Sequence, residues 1–325
     1  MHMGTSFYLN FTLRQARVRN ADSPIHLIGD GDPSEFPFVQ HTRITDLTGA
    51  DFDGFAEHYV HSSPNGYWYE LFCFQRWFLL RELMHRHDYD VAFMADTDVM
   101  LYANLTEFVG AATDRTWLAA FNVSAHADWV HSASGHSSLW TRTGIDLFCQ
   151  LLLDLFQVPA QIQRLDTIRQ NELLNNHLFG VSDMTALYLF YQDHSDAVLN
   201  LSTPTNGLVF DHNIGMAVNY DHDEYLFRNG QKEISQMQNG YPICFNRLLE
   251  QPVRMATLHF QGNTKNLIHQ YYTGPGIYRL RLYRTVRLQV RHVYYHTRAI
   301  RRQLPRLRPL VPIQHLLNSF QGLSR

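Results

Sequence analysis

The stretch Asp90-Val-Ala-Phe-Met-Ala-Asp96-Thr-Asp98-Val constrains this chain more than any other. A short apolar run, Asp90–Met94 (DVAFM), ends at two carboxylates spaced two residues apart. Such a run reads as a strand buried on both faces, of the kind found inside a parallel sheet. In open α/β sheets, ligand sites gather at the carboxyl ends of strands. In an extended segment residues i and i+2 project to the same side. Asp96 and Asp98 can then converge on one hard cation, Mn²⁺ or Mg²⁺, which prefers oxygen ligands and shares its remaining positions with phosphates. Taken alone, the pair also fits a solvated acidic turn.

The rest of the chain supports a layered reading. Thr12–Asn20, Glu70–His87, Gly144–Phe156 and Thr167–His177 carry helical spacing. Ile25–Asp30, Trp117–Asn122, Ser137–Thr141 and Thr257–Phe260 read as strands. Strands alternating with helices predict an α/β fold with a mostly parallel sheet flanked by helices. An open α/β nucleotide-binding domain usually starts with an apolar strand. Here Met1–Ser6 leads straight into a helix. The 325 residues suit one large domain, or a domain with an appendage.

A second motif lies far downstream, in Leu258-His259-Phe260-Gln261-Gly262-Asn263-Thr264-Lys265. His259 can give a nitrogen to the same cation. Gly262 lets backbone approach a ligand closely. Lys265 can neutralise a diphosphate oxygen as a point charge. Alone, His259 is equally a core histidine; beside the Asp pair, the site reading is favoured.

Asp96-x-Asp98 followed by His259-Phe-x-Gly262-x-x-Lys265 resembles the nucleotide-sugar-dependent glycosyltransferases of the single-Rossmann-like (GT-A) fold. The pattern is most similar to the glycogenin and lipopolysaccharide galactosyl- and glucosyltransferase group. That resemblance implies that Asp96, Asp98 and His259 bind Mn²⁺ and that Lys265 and Gly262 meet the diphosphate. The group usually continues Lys-Pro-Trp, where this chain has Lys265-Asn266-Leu267. The resemblance spans about residues 4–270. It implies a GT-A-like domain over 1–270, and the charge and spacing of the remainder predict a basic helical extension over 271–325.

Three further residues carry open alternatives. Arg76 precedes the metal strand, where similar enzymes place a basic residue near the donor; a structural Arg fits equally. Trp140 ends a strand where similar folds line the donor sugar pocket; core filling is the other reading. Asp183 can deprotonate an acceptor hydroxyl as general base or stabilise an oxocarbenium-like centre. It can also simply cap the helix that follows. His85, His87, His126, His131 and His136 follow no zinc spacing such as His-Glu-x-x-His.

The charge is uneven. The first 250 residues hold 14 basic and 30 acidic side chains, whereas 251–325 holds thirteen basic and none acidic. This asymmetry predicts that the tail meets something anionic. An amphipathic helix on an anionic membrane surface and a helix packed on the acidic domain are the two main readings, with nucleic acid least favoured. No run approaches the length of a membrane span. Three scattered cysteines, Cys73, Cys149 and Cys244, read as free thiols. The expectation is a metal-dependent hexosyltransferase at the cytoplasmic face of the membrane, active in surface polysaccharide synthesis. It would use a nucleotide-sugar donor, a UDP-sugar in first place, and a glycan or lipid-linked acceptor. The alternative is an inactive nucleotide-sugar or carbohydrate-binding protein of the same fold.

Overall fold

The computed structural model describes residues 1–2, 6–30, 35–111, 116–124, 131–174, 180–205, 207–215 and 224–276. Helix α1 (Leu9–Arg19) leads to strands β1 (His26–Ile28) and β2 (Gln40–Thr42), then α2 (Ala50–His58) and α3 (Tyr67–Arg86). Helix α3 carries Glu70 in its first turn and His85 and Arg86 in its last, matching the helix dipole. It stops at Asp88, whose φ of 55° is left-handed. The Tyr89 N–H donates to the Met84 carbonyl at 2.9 Å and the Asp88 N–H to that of His85 at 3.3 Å. This is the Schellman pattern, here with Asp in place of the usual Gly. It turns the chain at once into β3 (Val91–Ala95), so the helix that carries Arg76 and the strand that leads to Asp96 are locked together.

Beyond β3 come β4 (Val99–Leu101), the helix Leu105–Ala111, β5 (Ala119–Val123) and β6 (Ala133–Thr141). Helices Arg142–Gln157, Pro159–Leu174 and Asp183–Asp193 follow, then β7 (Val198–Asn200) and β8 (Leu208–Phe210). A small hairpin, β9 (Phe227–Arg228) with β10 (Gln231–Lys232), precedes β11 (Ile234–Gln238), β12 (Tyr241–Asn246) and β13 (Gln251–His259).

The α/β class expected from the sequence is the class observed. The ladders are mixed rather than mostly parallel. The two larger sheets run β3-β6-β5-β7 and β11-β12-β13-β4 with β8 also on β13; β1-β2 and β9-β10 stand as two-stranded pieces. Among the described residues, β1–β2, β5–β7 and β8–β13 pair in parallel, and the remaining ladders are antiparallel. Strands buried on both faces read the same in either direction, so apolar runs could not distinguish the two.

The largest core cluster joins α3 and helices Arg142–Gln157 and Asp183–Asp193 to the face of β5 and β6. Trp77, Trp140, Phe148 and Phe190 meet there, with Trp77 and Trp140 centroids 5.3 Å apart. Gly135 on β6 lies beneath Trp77; a Cβ there would sit 2.5 Å from the indole ring. A second cluster gathers Phe11, Met255, Leu258, Phe260 and Tyr272. Packing therefore continues past residue 270 to Tyr272, which is buried. The amphipathic face expected over 279–308 lies outside the described residues. Cys149 and Cys244 are buried and Cys73 half-buried, all as free thiols. Among the described residues no single helix is long and apolar enough to cross a membrane.

Candidate metal centre

The two aspartates do not occupy an extended segment. Asp96–Val99 is a tight turn between β3 and β4, closed by the Val99 N–H donating to the Asp96 carbonyl at 3.0 Å. The Asp96 N–H donates to the His136 carbonyl at 2.8 Å, and the Thr12 hydroxyl donates to the Thr97 carbonyl at 2.9 Å. These bonds pin the turn to β6 and α1. Strand β4 then pairs antiparallel with β13, with Val99 opposite His259. The Phe260 N–H donates to the Asp98 carbonyl at 3.1 Å. Strand register, not sequence proximity, thus brings His259 to the aspartates across some 160 residues.

Ligand atoms of Asp96, Asp98 and His259 all lie within 4.8 Å of one another. His259 Nδ1 sits 2.6 Å from the His212 carbonyl. A carbonyl only accepts, so Nδ1 carries the proton and Nε2 is the free nitrogen, 3.6 Å from Asp98 Oδ1. Two carboxylates and a fixed imidazole nitrogen form a donor set that suits Mn²⁺ or Mg²⁺. Burial pushes the Asp98 carboxyl up, but His259 and Lys265 outweigh it and hold its pKa down at about 2. Burial lowers His259, and the carboxylates of Asp98 and Asp96 more than reverse that, so its pKa is raised.

Cationic side chains frame the acidic pair. Lys265 Nζ lies 3.0 Å from Asp98 Oδ2 and over the Tyr8 ring. Gly262 has a φ of +57° and open space where a Cβ would stand. Arg76 bridges two carboxylates, with Nη1 2.8 Å from Asp96 Oδ1 and Nη2 2.7 Å from Asp183 Oδ2. Trp77 Nε1 also donates to Asp183 Oδ2, at 3.2 Å. Burial raises the Asp183 carboxyl above its ordinary range, and Arg76 opposes that.

The structure therefore gathers Asp96, Asp98, His259, Lys265, Arg76 and Asp183 into one region. Asp183 is not the helix cap: Ser182 is, with its N–H donating to Thr185 Oγ1 at 3.2 Å, and Asp183 is the first helical residue. Trp140 is placed differently. Its ring is fully buried among Trp77, Phe121, Phe148 and Phe190, and its Nε1 donates to Ser138 Oγ at 3.0 Å. It fills the core. A second group, Glu70, Cys73 and Asp183, also clusters within 4.8 Å. There Ser63 and Asn65 donate to Glu70, Arg76 and Trp77 donate to Asp183, and burial pushes the Cys73 thiol up. That is a closed polar network without a thiolate.

Sequence reasoning missed the support beneath Asp96, Asp98 and His259, the candidate metal triad. His136 lies flat against His259, donates from Nε2 to the Asp211 carbonyl and accepts the Ser134 hydroxyl at Nδ1. Asp211 takes the His259 N–H at 3.0 Å and forms a buried ion pair with Lys232. Asp211 did carry a signal: like Asp96, it ends an apolar run, Leu208-Val-Phe-Asp211.

No protein-family model matches this chain. No curated protein matches it either. Among solved structures, it is similar to the apo form of mouse xyloside xylosyltransferase 1, at 11% identity and a TM-score of 0.43. That alignment covers 60% of this chain and 78% of the mouse chain.

Proposed function

We propose that this chain is a metal-dependent glycosyltransferase that moves a hexose from a nucleoside-diphosphate sugar, a UDP-sugar in first place, to an acceptor hydroxyl. The observation that carries this reading is the convergence of Asp96, Asp98 and His259 within 4.8 Å, from the β3–β4 turn and the end of β13. An acidic pair alone would be commonplace. The addition of an imidazole whose tautomer is fixed, and of Lys265 and Arg76 on the flanks, is what a diphosphate site needs.

A cation held by Asp96, Asp98 and His259 supplies Lewis-acid stabilisation of the departing diphosphate. Lys265 and Arg76 place fixed positive charge where negative charge grows as the glycosidic bond breaks. Gly262 leaves the backbone open to close approach by the diphosphate. Asp183 either takes the proton of the attacking acceptor hydroxyl or stabilises positive charge at the anomeric carbon. In this proposal the acceptor is a glycan or lipid-linked saccharide of surface polysaccharide synthesis. The basic tail would hold the chain peripherally at the cytoplasmic face of the membrane.

The test is release of nucleoside diphosphate from a panel of nucleotide-sugars, with Mn²⁺ or with chelator. Slow hydrolysis of one donor, abolished by chelator and by Asp98→Asn, is the expected result. The absence of both turnover and metal-dependent binding for every donor would overturn the proposal. Metal-dependent binding without turnover, in the presence of saccharide acceptors, would instead support a binding protein of the same fold.

A further inference from the structure

The first turn of α3 buries its charge and exposes its aromatics. Glu70 is buried and Leu71 packs in the main core cluster, whereas Tyr67, Trp68 and Tyr69 are 39%, 79% and 66% exposed. A helix placed by hydrophobic packing alone would do the reverse. Single exposed apolar side chains are ordinary, but a contiguous exposed group marks a binding surface. The three aromatics follow one another on one turn, and exposed Val60 lies just before them.

The group is held from behind. Tyr67 meets the Trp68 ring edge-on, centroids 5.0 Å apart, and rests against Tyr59 and His61 at 5.6 and 5.7 Å. Glu70 Oε2 accepts from Ser63 Oγ and Asn65 Nδ2, each at 2.8 Å, which ties the preceding loop to the helix start. That loop is also fastened to the segment that delivers Asp183. The Val181 N–H donates to the Ser62 carbonyl at 3.0 Å, and a Cβ on Gly180 would fall 1.9 Å from that oxygen. Tyr69, Cys73 and Arg76 fall at i, i+4 and i+7 along α3 and share one face, with Tyr69 about 10 Å before Arg76. Cys73 first, then burial and the carboxylates of Asp96 and Asp183, push the Tyr69 phenol up to about 12 against the pull of Arg76. The aromatic turn is thus continuous with the candidate centre.

We propose that Tyr67, Trp68 and Tyr69 form a saccharide platform for a neutral glycan of at least two pyranose rings, the outer ring on Trp68 and the inner one at Tyr69, towards Asp183. The inference rests on the glycosyl-transfer reading in one respect, that this glycan is the acceptor. A platform already fixed by Glu70 and Tyr59 loses little freedom when it binds.

The chemistry of the turn selects this ligand. An aromatic face carries partial negative charge. The axial C–H groups of a pyranose carry partial positive charge, so sugar and ring stack while the hydroxyls at the rim stay in water. Charge decides among the occupants. From Ile44 to Gln75 the chain has no Lys or Arg, and it carries Asp46, Asp51, Asp53, Glu57 and Glu70. An anionic membrane or an acidic saccharide is repelled by such a segment. A neutral saccharide is not.

The experiment titrates the full chain, Trp68→Ala and Tyr69→Ala calorimetrically with maltohexaose, cellohexaose, hexa-N-acetylchitohexaose and hexagalacturonate, with chelator present and donor absent. At least one neutral hexasaccharide is expected to bind, and each substitution to weaken it by about tenfold or more. Hexagalacturonate is expected to bind more weakly than the neutral sugars. Thermal midpoints should match the parent, because both side chains are exposed. No binding of any neutral hexasaccharide, binding unchanged in both variants, or hexagalacturonate bound as tightly as the neutral sugars would overturn the proposal. So would a Trp68-dependent association with phosphatidylcholine vesicles in place of sugar binding, which makes the turn a bilayer contact. Loss of a dimer in Trp68→Ala, without sugar binding in the parent, would make it a subunit contact and overturn it too. Saccharide binding with no release of nucleoside diphosphate from any donor would sink the transferase reading and leave the platform standing. Donor hydrolysis without saccharide binding would do the reverse.

Discussion

His136 lies face to face with His259, their ring centroids 4.2 Å apart and their planes 12° from parallel. Burial lowers the His136 pKa far below its ordinary value, so it stacks as a neutral ring. Its two nitrogens are held by Ser134 and by the Asp211 carbonyl, so the plane it offers to His259 is fixed. With Nδ1 of His259 tied to His212, Nε2, the nitrogen open to a cation, has little freedom. Partners of this kind, one step behind a metal ligand, are commonly worth about 10–100-fold in metal affinity. His136→Ala should therefore weaken Mn²⁺ binding by about tenfold or more on that scale. Calorimetric titration of the purified variant measures it, alongside far-ultraviolet dichroism to show that the fold is intact.

Proton and cation compete for His259, with opposite consequences for the empty and loaded chain. In the metal-free chain the His259 pKa is raised above its ordinary 6.5, chiefly by Asp98 against the pull of burial. Its stabilising contribution is complete below that ordinary value and is lost as pH rises through the raised one. Asp98 behaves oppositely. Its pKa is about 2 against an ordinary 3.8, so its contribution is present above 3.8 and fades as pH falls towards 2. With chelator, the thermal midpoint should decline from about pH 6.5 upward and again below about pH 4. Mn²⁺ needs the neutral imidazole, so its binding strengthens as pH rises and should cancel the alkaline decline. Thermal scans from pH 3 to 9, with and without Mn²⁺, test both halves.

Arg76 touches both Asp96, a carboxylate of the candidate metal triad, and the buried Asp183. Arg76→Ala would leave Asp183 inside the protein with Trp77 as its remaining donor. Breaking a buried pair on one side typically costs about 3–5 kcal/mol. Denaturant unfolding should show a loss of that order. Arg76→Lys keeps the charge but, as a compact point charge, cannot span both carboxylates. It should recover most of the stability and still raise KM for the donor.

The parts of this site that were legible in the sequence are those whose chemistry is local. Asp96 and Asp98 end an apolar run, and His259, Gly262 and Lys265 sit within seven residues of each other. Residue type and spacing suffice for such groups. Asp211, Lys232 and His136 act only through tertiary contacts set by strand register, and no spacing rule reports those. Trp140 is the reverse case. It stands on β6, two residues past Ser138, but its side chain turns into the helix-covered core. Alternation along a strand decides which face a side chain takes, and the face that meets the helices is fixed by sheet packing. The longer helices were equally readable, but the short ones, α2 and Leu105–Ala111, and the helix ends were not. The helix expected to start at Thr167 begins at Pro159, because proline suits a first turn and its own pattern is only weakly amphipathic.

Trp140 gives a clean separation of core from site. Its ring is fully buried between Phe121 and Phe148. Trp140→Ala should cost about 3–5 kcal/mol, as large-to-small changes at buried aromatic positions do. Trp140→Phe should cost less and leave donor affinity where it was. A changed donor Kd with unchanged stability in the Phe variant would return this residue to the sugar pocket.

The Asp211–Lys232 pair tests whether a buried charge serves stability or placement. Both side chains are buried, and Asp211 also accepts the His259 N–H at 3.0 Å. Lys232→Met removes one partner and leaves the carboxylate uncompensated, at a typical cost of about 3–5 kcal/mol. Replacing both, as Asp211→Leu with Lys232→Met, should recover much of that stability, because apolar packing often substitutes for a buried pair. Mn²⁺ affinity should not recover with it. The double variant has lost the oxygen that anchors the His259 backbone, and no apolar side chain supplies one. Stability restored with metal binding still impaired would show that the pair is kept for the position of His259. Metal binding restored together with stability would show that the ion pair is structural alone.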